Sequence, residues 1–516
     1  MEKNCFNIHP KCYCVTVAKH IDWNLKIVET TDRKVISKHS AMKWCLVHIG
    51  NDITYGLAFV AGELLRMKHK IMWIDGDEDI KELNKKIKDY NPHYVCFGPL
   101  STEFSRSLEL VKEFKKVLPS IKSVFGGKHV LAIPDEIKKN NDIDYLVWGP
   151  VYEAIDKIIE SPSKTFIKGA PTYPCDMQPA LKEYFEQVPR MGSRERKYIM
   201  SHFGCVYNCS FCCTSVTRKS YGAKAYKEYW LARRPVENMI EEAKLFLKYP
   251  TKEVSFEDDD VLYGTHEGAD GTEWLSEFTK AWKKEINIPM YANVTPQTVV
   301  KATDEALATL AELADTITMG VQTTGGDSSR LFNRHFQDEN QVIEAVKIMT
   351  GYGVKVKLEV IIGLPNIDGL CPDPVTDAIK TVQMCQRISR EAPPDTTWTS
   401  CFPLMLYPGT SLWEKAKKAK IPLSEACEFE WHSGEGSVKF DPLTMKRIKN
   451  MTKMATMFIK YDMSERWMRA LLDTELTDTS SKQLGECQYL ESLKFRLGDK
   501  IEEEFDDILK GIHFKY

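Results

Sequence analysis

Short apolar runs alternate with stretches of helical spacing through the first third of the chain. The runs lie at Lys43–Ile49, Lys70–Asp75, His93–Gly98, Ile121–Gly126 and Tyr145–Trp148. Helical spacing occupies the stretches between them, at Tyr55–Met67, Ile80–Tyr90 and Ser105–Val117. Strands that alternate with helices predict a parallel sheet that is covered on both faces. We therefore predict a doubly wound α/β domain over residues 41–162, with its ligands at the carboxyl ends of the strands.

A second alternating series begins near Lys197. Its apolar runs lie at Lys197–His202, Glu253–Phe256, Pro289–Asn293, Thr316–Val321, Lys355–Ile362 and Thr397–Leu404. Helical stretches separate them, at Val236–Leu247, Gly271–Trp282, Glu305–Leu313 and Glu339–Thr350. Six such repeats predict a complete or partial β/α barrel over residues 196–415, whose chemistry would lie at the carboxyl ends of its strands.

The remaining segments lack this alternation. Residues 1–40 have little periodicity and read as an extension, and residues 163–195 contain four prolines, which favours a linker. After about residue 415 the strand signals stop, so we predict a helical carboxy-terminal region over residues 416–516.

Composition narrows the class of protein. The 516 residues include 70 basic and 73 acidic side chains, a net charge of −3, which gives no general electrostatic case for binding nucleic acid or an anionic membrane. No apolar run approaches the roughly 18 residues that a membrane span requires. We expect a cytoplasmic, multidomain protein in which the 15 cysteines serve metal or redox chemistry more than disulfides.

Three cysteines lie together directly after the first strand of the second series. Cys205, Cys209 and Cys212 have the spacing C-x₃-C-x₂-C. Thiolates bind iron well, and three of them can hold three irons of a four-iron cluster while the fourth iron keeps an open position. A zinc site is the alternative, although no second C-x₂-C or H-x₃-H pair follows. Cys213 falls outside the spacing, and we expect it to serve in packing.

This motif resembles that of the radical S-adenosylmethionine (SAM) superfamily. The resemblance implies that Cys205, Cys209 and Cys212 bind a 4Fe–4S cluster, that SAM takes the open iron, and that Phe211 borders the adenine. Reductive cleavage of SAM would then yield the 5′-deoxyadenosyl radical.

Later segments extend the resemblance in the order expected for this superfamily. They imply further SAM contacts from Asp258 after the second barrel strand, Gln322 and Arg334 around the fourth, and Ile361 in the fifth. Glu359 and Asn366 depart from the pattern, because many relatives have glycine and glutamate there. Pro408-Gly409-Thr410 after the sixth strand is also typical of the superfamily.

A doubly wound domain before such a barrel resembles the cobalamin-binding subgroup, with a flavodoxin- or Rossmann-like sheet. The resemblance implies a cobalamin site that includes Thr54, Ser101, Thr102, Gly126, Gly127 and Gly149. Mutase-type cobalamin domains carry a cobalt-binding histidine where this chain has Thr54, so cobalamin would lack a histidine ligand from the protein. A flavin or nucleotide in this domain is the alternative.

Together these features favour a cobalamin-dependent radical SAM enzyme that transfers a methyl group to an unactivated carbon. Alternatives are a ring-forming or carbon-skeleton enzyme with the same cofactors, and a non-catalytic iron–sulfur redox sensor. The expected partner is an electron donor such as flavodoxin or ferredoxin, and the substrate could be a small molecule, a lipid or a peptide. Cys5, Cys12 and Cys14 could contribute to another metal site, but bystander roles are the expectation.

The cysteine spacing leads to a mutational prediction. Cys205→Ala, Cys209→Ala and Cys212→Ala should each abolish cleavage of SAM, because two thiolates are too few to hold the cluster. Cys213→Ala is the matched control and should retain cleavage. The measurement is formation of 5′-deoxyadenosine under reducing, anaerobic conditions, and its persistence in any of the first three variants would contradict the assignment.

Overall fold

The structure is a computed structural model. It describes the backbone of residues 11–15, 25–29, 39–152, 154–173, 177–323, 325–424, 436–497 and 514–515, and the side chains within these ranges from residue 39 to residue 487. Strands β1 (Lys11–Val15) and β2 (Leu25–Glu29) pair antiparallel within the predicted extension. Among the described helices, none is long and apolar enough to cross a membrane.

A parallel sheet forms the centre of the first domain, as predicted, and it has six strands: five correspond to the predicted runs, and the sixth lies in the segment predicted as a linker. Its strands are β3 (Lys43–His48), β4 (Lys70–Asp75), β5 (Tyr94–Phe97), β6 (Lys122–Phe125), β7 (Tyr145–Trp148) and β8 (Thr165–Lys168). The spatial order is β4-β3-β5-β6-β7-β8. The order reverses between β3 and β5, so the loops after these two strands flank the crevice in which such sheets bind ligands.

Helices cover both faces of this sheet. They are α1 (Tyr55–Arg66), α2 (Ile80–Tyr90), α3 (Phe104–Val117), α4 (Gly127–Ala132), α5 (Pro134–Ile137) and α6 (Ala154–Glu160). Strand β3 is buried from Trp44 to His48 because both of its faces are covered, which explains its continuous apolar run.

The linker prediction for residues 163–195 is corrected by the structure. This stretch supplies β8 and also α7 (Leu181–Gln187) and α8 (Pro189–Gly192). Tyr184 stacks on Trp73 of the edge strand β4, with ring centroids 4.3 Å apart. Arg190 binds Asp75 at the end of the same strand. The segment therefore packs against the first sheet, and Pro189 starts a helix instead of marking a linker.

The second sheet forms the partial barrel. Its strands are β9 (Arg196–Ile199), β10 (Glu253–Phe256), β11 (Met290–Val294), β12 (Ala314–Gln322), β13 (Lys355–Ile362) and β14 (Thr397–Pro403). All neighbours are parallel and follow chain order from β9 to β14. In the described part of the chain the two edge strands do not pair with each other, so the barrel is open along one side.

Helices surround this barrel on its outer face. They are α9 (Thr214–Tyr221), α10 (Ala223–Ala225), α11 (Val236–Ala243), α12 (Gly271–Glu285), α13 (Pro296–Lys301), α14 (Asp304–Leu313), α15 (Gly326–Phe332), α16 (Glu339–Gly351), α17 (Pro374–Glu391) and α18 (Ser411–Lys418). The start of α17 is set locally: Asp373 accepts hydrogen bonds from the backbone N–H groups of Val375 and Thr376, and Pro374 occupies the first helical position.

The carboxy-terminal region is mostly helical, as predicted. Its helices are α19 (Pro442–Lys460), α20 (Glu465–Leu472) and α21 (Asp478–Leu497). The short strands β15 (Glu475–Leu476) and β16 (Phe514–Lys515) pair antiparallel. Helix α19 packs on β14, and its Met451 and Met454 are fully buried in the main core, as their helical spacing suggests.

A buried ion pair joins the first domain to the barrel. Arg234 lies 2.7 Å from Glu242 of α11, and both side chains are almost wholly excluded from solvent. The hydroxyl of Tyr55, on α1 of the first domain, donates to the same carboxylate. Removing one partner would leave the other charge buried without compensation, which typically costs about 3–5 kcal/mol.

We therefore expect Arg234→Met to lower the thermal transition temperature by roughly 5 °C or more. The matched control is Lys283→Met, which breaks the 3.0 Å pair between Lys283 and Glu312. Both of those side chains are more than half exposed. Exposed pairs contribute at most about 1 kcal/mol, so the control should shift the transition by less than about 2 °C. Differential scanning calorimetry measures both, and equal shifts would contradict the structural role of Arg234.

Candidate active site

A buried carboxylate that follows the neighbouring strand binds the residues at the start of the cysteine loop. Asp258, after β10, accepts hydrogen bonds from the backbone N–H of Ser201 at 2.6 Å, from the N–H of His202 at 3.2 Å and from the Ser201 hydroxyl. Nδ1 of His202 is 2.7 Å away and the Arg233 guanidinium 3.6 Å away. Burial alone would raise the pKa of Asp258, but His202, Arg233 and Ser201 outweigh it and hold that pKa below its ordinary value.

This arrangement differs from the predicted role of Asp258 as a SAM contact. The side chain is completely buried and its two oxygens are occupied by Ser201, His202 and Arg233. We interpret Asp258 as the residue that positions the start of the cysteine loop.

The three motif cysteines lie on the single loop between β9 and α9. Cys209 is buried, whereas Cys205 and Cys212 are half-buried. Burial, followed by the nearby carboxylate of Asp259, raises the pKa of both Cys205 and Cys212, so these thiols need a cation beside them to become thiolates. Iron supplies such a cation, and the donor set therefore fits an iron–sulfur cluster.

In the described part of the chain no three Cys, His, Asp or Glu side chains are arranged around a single ion. A single-metal site such as the zinc alternative is accordingly not preformed at this loop. A four-iron cluster has a different requirement, because each thiolate binds a separate iron.

Arg334 connects the cysteine loop to the fourth barrel strand. Its Nη1 lies 3.2 Å from the sulfur of Cys209, and its Nη2 donates to the carbonyl of Gly320 at 2.8 Å and to Gln337 at 2.6 Å. The side chain is only 4% exposed. Its Nε is buried and has no hydrogen-bond partner among the described residues, which leaves one donor for a bound group.

Two of the residues expected near adenine border one apolar cluster. Phe211 and Ile361 both pack against the cluster that contains Leu331, Phe332 and Leu364, and the rings of Phe211 and Phe332 are 4.6 Å apart. The structure thus places a residue of the cysteine loop and a residue of β13 against the same apolar cluster. Gln322 ends β12 with a left-handed φ of 69°.

The predicted cobalamin residues lie at the carboxyl edge of the first sheet. The Thr54 hydroxyl lies 2.8 Å from Nδ1 of His48, which also contacts the Tyr184 hydroxyl at 2.8 Å. His48 is completely buried, and burial lowers its pKa to about 4, so the imidazole is neutral. His48 is therefore held inside the domain.

The loops after β5 and β6 meet on the other side of the crevice. The Ser101 hydroxyl lies 2.9 Å from Nδ1 of His129, and Thr102 is half-buried in the same turn. Gly126 and Gly127 join β6 to α4 beside this turn. The predicted residues from both loops thus share one edge.

Packing between the two domains explains why residue 149 is a glycine. Its φ is 97°, and a Cβ there would come within 1.6 Å of the Tyr221 hydroxyl. That hydroxyl lies 3.0 Å from the carbonyl of Trp148 and 2.9 Å from that of Gly169. Tyr221 ends α9, directly after the cysteine loop, so Gly149 is a contact between the two domains.

Helix α4 of the first domain contacts helix α9 of the barrel, so the two carboxyl edges face each other. Burial raises the pKa of Cys213 to about 12, and the Lys128 ammonium of the first domain is close enough to oppose that rise. Asp259 is exposed and lies close enough to Cys205, Cys212 and Cys213 to raise the pKa of each.

Comparison with known proteins agrees with this architecture. Residues 199–382 match the radical SAM superfamily model, so this part of the chain is a radical SAM domain. The cobalamin-dependent SAM radical enzyme OxsB has a similar fold, with a TM-score of 0.61 and 12% sequence identity over 91% of this chain and 75% of OxsB. The radical SAM methyltransferase TsrM from Kitasatospora setae gives a TM-score of 0.60 and 13% identity over 91% of this chain and 100% of TsrM. No protein with a curated description matches the sequence.

Asp258→Asn tests how the cysteine loop is positioned. The amide would place an N–H group against the donors of Ser201 or His202 and leave Arg233 without a counter-charge. We expect the iron content after anaerobic reconstitution to fall several-fold and the chain to be destabilised at neutral pH. Because the pKa of Asp258 is held low in the folded protein, its carboxylate contributes fully to the free energy of unfolding when the pH is above the ordinary pKa of an aspartate. That contribution is lost as the pH falls further, so the destabilisation caused by Asp258→Asn should become smaller in acid.

Asp315→Asn, at an exposed position on β12, is the control and should change neither quantity. Iron analysis and thermal denaturation across a pH series provide the measurements. Normal iron content in Asp258→Asn would show that the loop is positioned without this carboxylate.

Proposed function

We propose that this chain, a radical SAM protein with the fold of cobalamin-dependent relatives, is a methyltransferase that acts on an unactivated carbon. The observation that carries the proposal is the juxtaposition of two carboxyl edges, the switch point of the first sheet and the cysteine loop of the barrel. The packing of Gly149 against Tyr221 and the contact between helices α4 and α9 support that juxtaposition.

At the barrel edge, Cys205, Cys209 and Cys212 would hold a 4Fe–4S cluster and leave one iron for SAM. Arg334 lies beside Cys209 and retains a buried, unpartnered Nε. Phe211 and Ile361 would border the adenine through their shared apolar cluster, and Gln322 ends the neighbouring strand. In this arrangement Asp258 acts through the loop and does not touch SAM.

At the opposite edge, the crevice between β3 and β5 would hold cobalamin. The loops there offer the hydroxyls of Thr54, Ser101 and Thr102 and the small residues Gly126 and Gly127, which suit a bulky cofactor with amide side chains. The loop has Thr54 at the position of the mutase-type histidine, and His48 is completely buried in β3, which supports cobalt binding without a histidine from this loop. The position of TsrM among the similar folds favours methyl transfer.

When bound, the cluster with SAM supplies a carbon-centred radical and cobalamin supplies a methyl group. The chain's own task is to orient the two groups and exclude water between them. An external donor such as flavodoxin or ferredoxin would provide the electron.

Two products separate the proposed reaction from its rivals. The holoenzyme, reconstituted without oxygen with iron, sulfide and cobalamin, should convert SAM to 5′-deoxyadenosine under strong reduction. With reduced cobalamin it should also form about one equivalent of S-adenosylhomocysteine per bound cobalamin, because methyl transfer consumes a second SAM. Chromatography of both products is the measurement, and Cys205→Ala should lose the first product but still bind cobalamin, as seen by absorption.

The outcomes distinguish the proposed methyltransferase from the alternative functions. Formation of 5′-deoxyadenosine without S-adenosylhomocysteine would contradict methyl transfer and indicate a ring-forming or carbon-skeleton enzyme. Absence of both products from a protein with a full cluster would indicate a redox sensor. A flavin spectrum in place of cobalamin binding would overturn the assignment of the first domain.

A further inference from the structure

Strand β13 carries charge on the inner face of the barrel. Burial alternates strictly along it: Val356, Leu358, Val360 and Ile362 are fully buried in the core that the outer helices share. The intervening residues are half-buried, so they point to the inner face. Lys357 and Glu359 are two of these, and their charged groups are 2.8 Å apart.

The two members of this pair differ in their access to solvent. The Lys357 ammonium lies 5.1 Å from the ring centroid of Trp398 and 5.9 Å from that of Phe402, both on the neighbouring strand β14. The Lys357 side chain is 13% exposed, whereas Glu359 is 31% exposed. The lysine is therefore covered by aromatic rings, and the carboxylate is the accessible end of the pair.

Strand β12, on the other side of β13, leaves space beside the Glu359 carboxylate. Gly320 of β12 lies directly opposite Glu359 in the register and has no side chain to fill the inner face. A Cβ at Gly320 would meet only Nε2 of Gln322, at 3.1 Å, and the Val294 carbonyl, at 4.0 Å. The opening next to Glu359 therefore reaches Gln322, which belongs to the proposed SAM-binding group.

An ion pair is unusual on the inner face of a β/α barrel. The interiors of β/α barrels are ordinarily packed with branched apolar side chains, and a partly buried ion pair seldom adds stability over such packing. Charged groups that are retained in a cleft are more typical of binding sites.

We propose that Glu359, held in place by Lys357, binds a cationic amino group of the substrate within the barrel. The inference rests on the proposed function, because it assumes that the substrate lies inside the barrel next to SAM. An ammonium group would enter the space opposite Gly320 and donate to the accessible carboxylate, while Trp398 and Phe402 form the adjacent wall. The substrate class is accordingly an organic amine that is protonated at neutral pH.

The test measures binding of a defined amine to the holoenzyme. The probe is 2-phenylethylammonium, and its neutral counterpart is 2-phenylethanol. Ligand-observed nuclear magnetic resonance should show that the cation binds at least about tenfold more tightly than the alcohol, because a charge-assisted hydrogen bond is lost in the alcohol. Glu359→Gln should remove this preference.

A second variant tests the role of the opening, and a control variant tests for nonspecific effects of removing a charge. Gly320→Ala retains every charge but fills the opening, and should also weaken binding of the cation several-fold. Glu391→Gln breaks the exposed pair of Lys347 and Glu391, 2.7 Å apart on the outer helices, and should leave binding unchanged. The thermal transition of each variant verifies that it is folded.

Equal binding of the cation and the alcohol, or a preference that survives in Glu359→Gln, would overturn the inference. Loss of SAM binding in Glu359→Gln with unchanged binding of the probe would assign the carboxylate to SAM instead, and would also overturn it. Failure of the wild-type holoenzyme to cleave SAM contradicts the proposed function alone, since binding of the probe is measured separately.

Discussion

Two consecutive buried arginines determine how the halves of this molecule meet. Arg233 contacts Asp258, which anchors the start of the cysteine loop, and Arg234 pairs with Glu242, which also accepts from Tyr55 of the first domain. Both guanidinium groups are fully excluded from solvent. Because a buried charge is stable only with its partner in place, the loop and the first domain are tied to one short segment. The proposed cofactor sites depend on this connection.

The barrel separates its two faces by chemistry. Outward residues of β13 form a continuous apolar core with the helices, whereas its inward residues include an ion pair. The first sheet has no comparable polar face, since helices cover both of its sides and strand β3 is buried along its length. The proposed cofactor and substrate sites therefore lie at the facing edges and on the inner face of the barrel.

Local periodicity was sufficient for most of the regular structure. The bounds of Lys70–Asp75, Tyr145–Trp148, Glu253–Phe256 and Lys355–Ile362 agree with the predicted runs, because a strand buried on one or both faces must show its burial in its own residues. The segment 163–195 shows the limit of this reasoning. Its helices are short and its contacts, such as Tyr184 on Trp73, are with residues more than 100 positions away in the chain.

The sequence by itself determined the class of each domain, the cysteine spacing and the family resemblance, because periodicity and ligand spacing are local properties. Only the tertiary structure decided the roles of individual polar residues. Asp258 and Asp259 are adjacent in the chain, yet one is completely buried under Arg233 and the other is exposed beside the cysteines. Gly149 lies against Tyr221 of the other domain, a neighbour that the sequence did not indicate. Which groups surround a side chain depends on packing between distant segments, and that packing leaves no local signal.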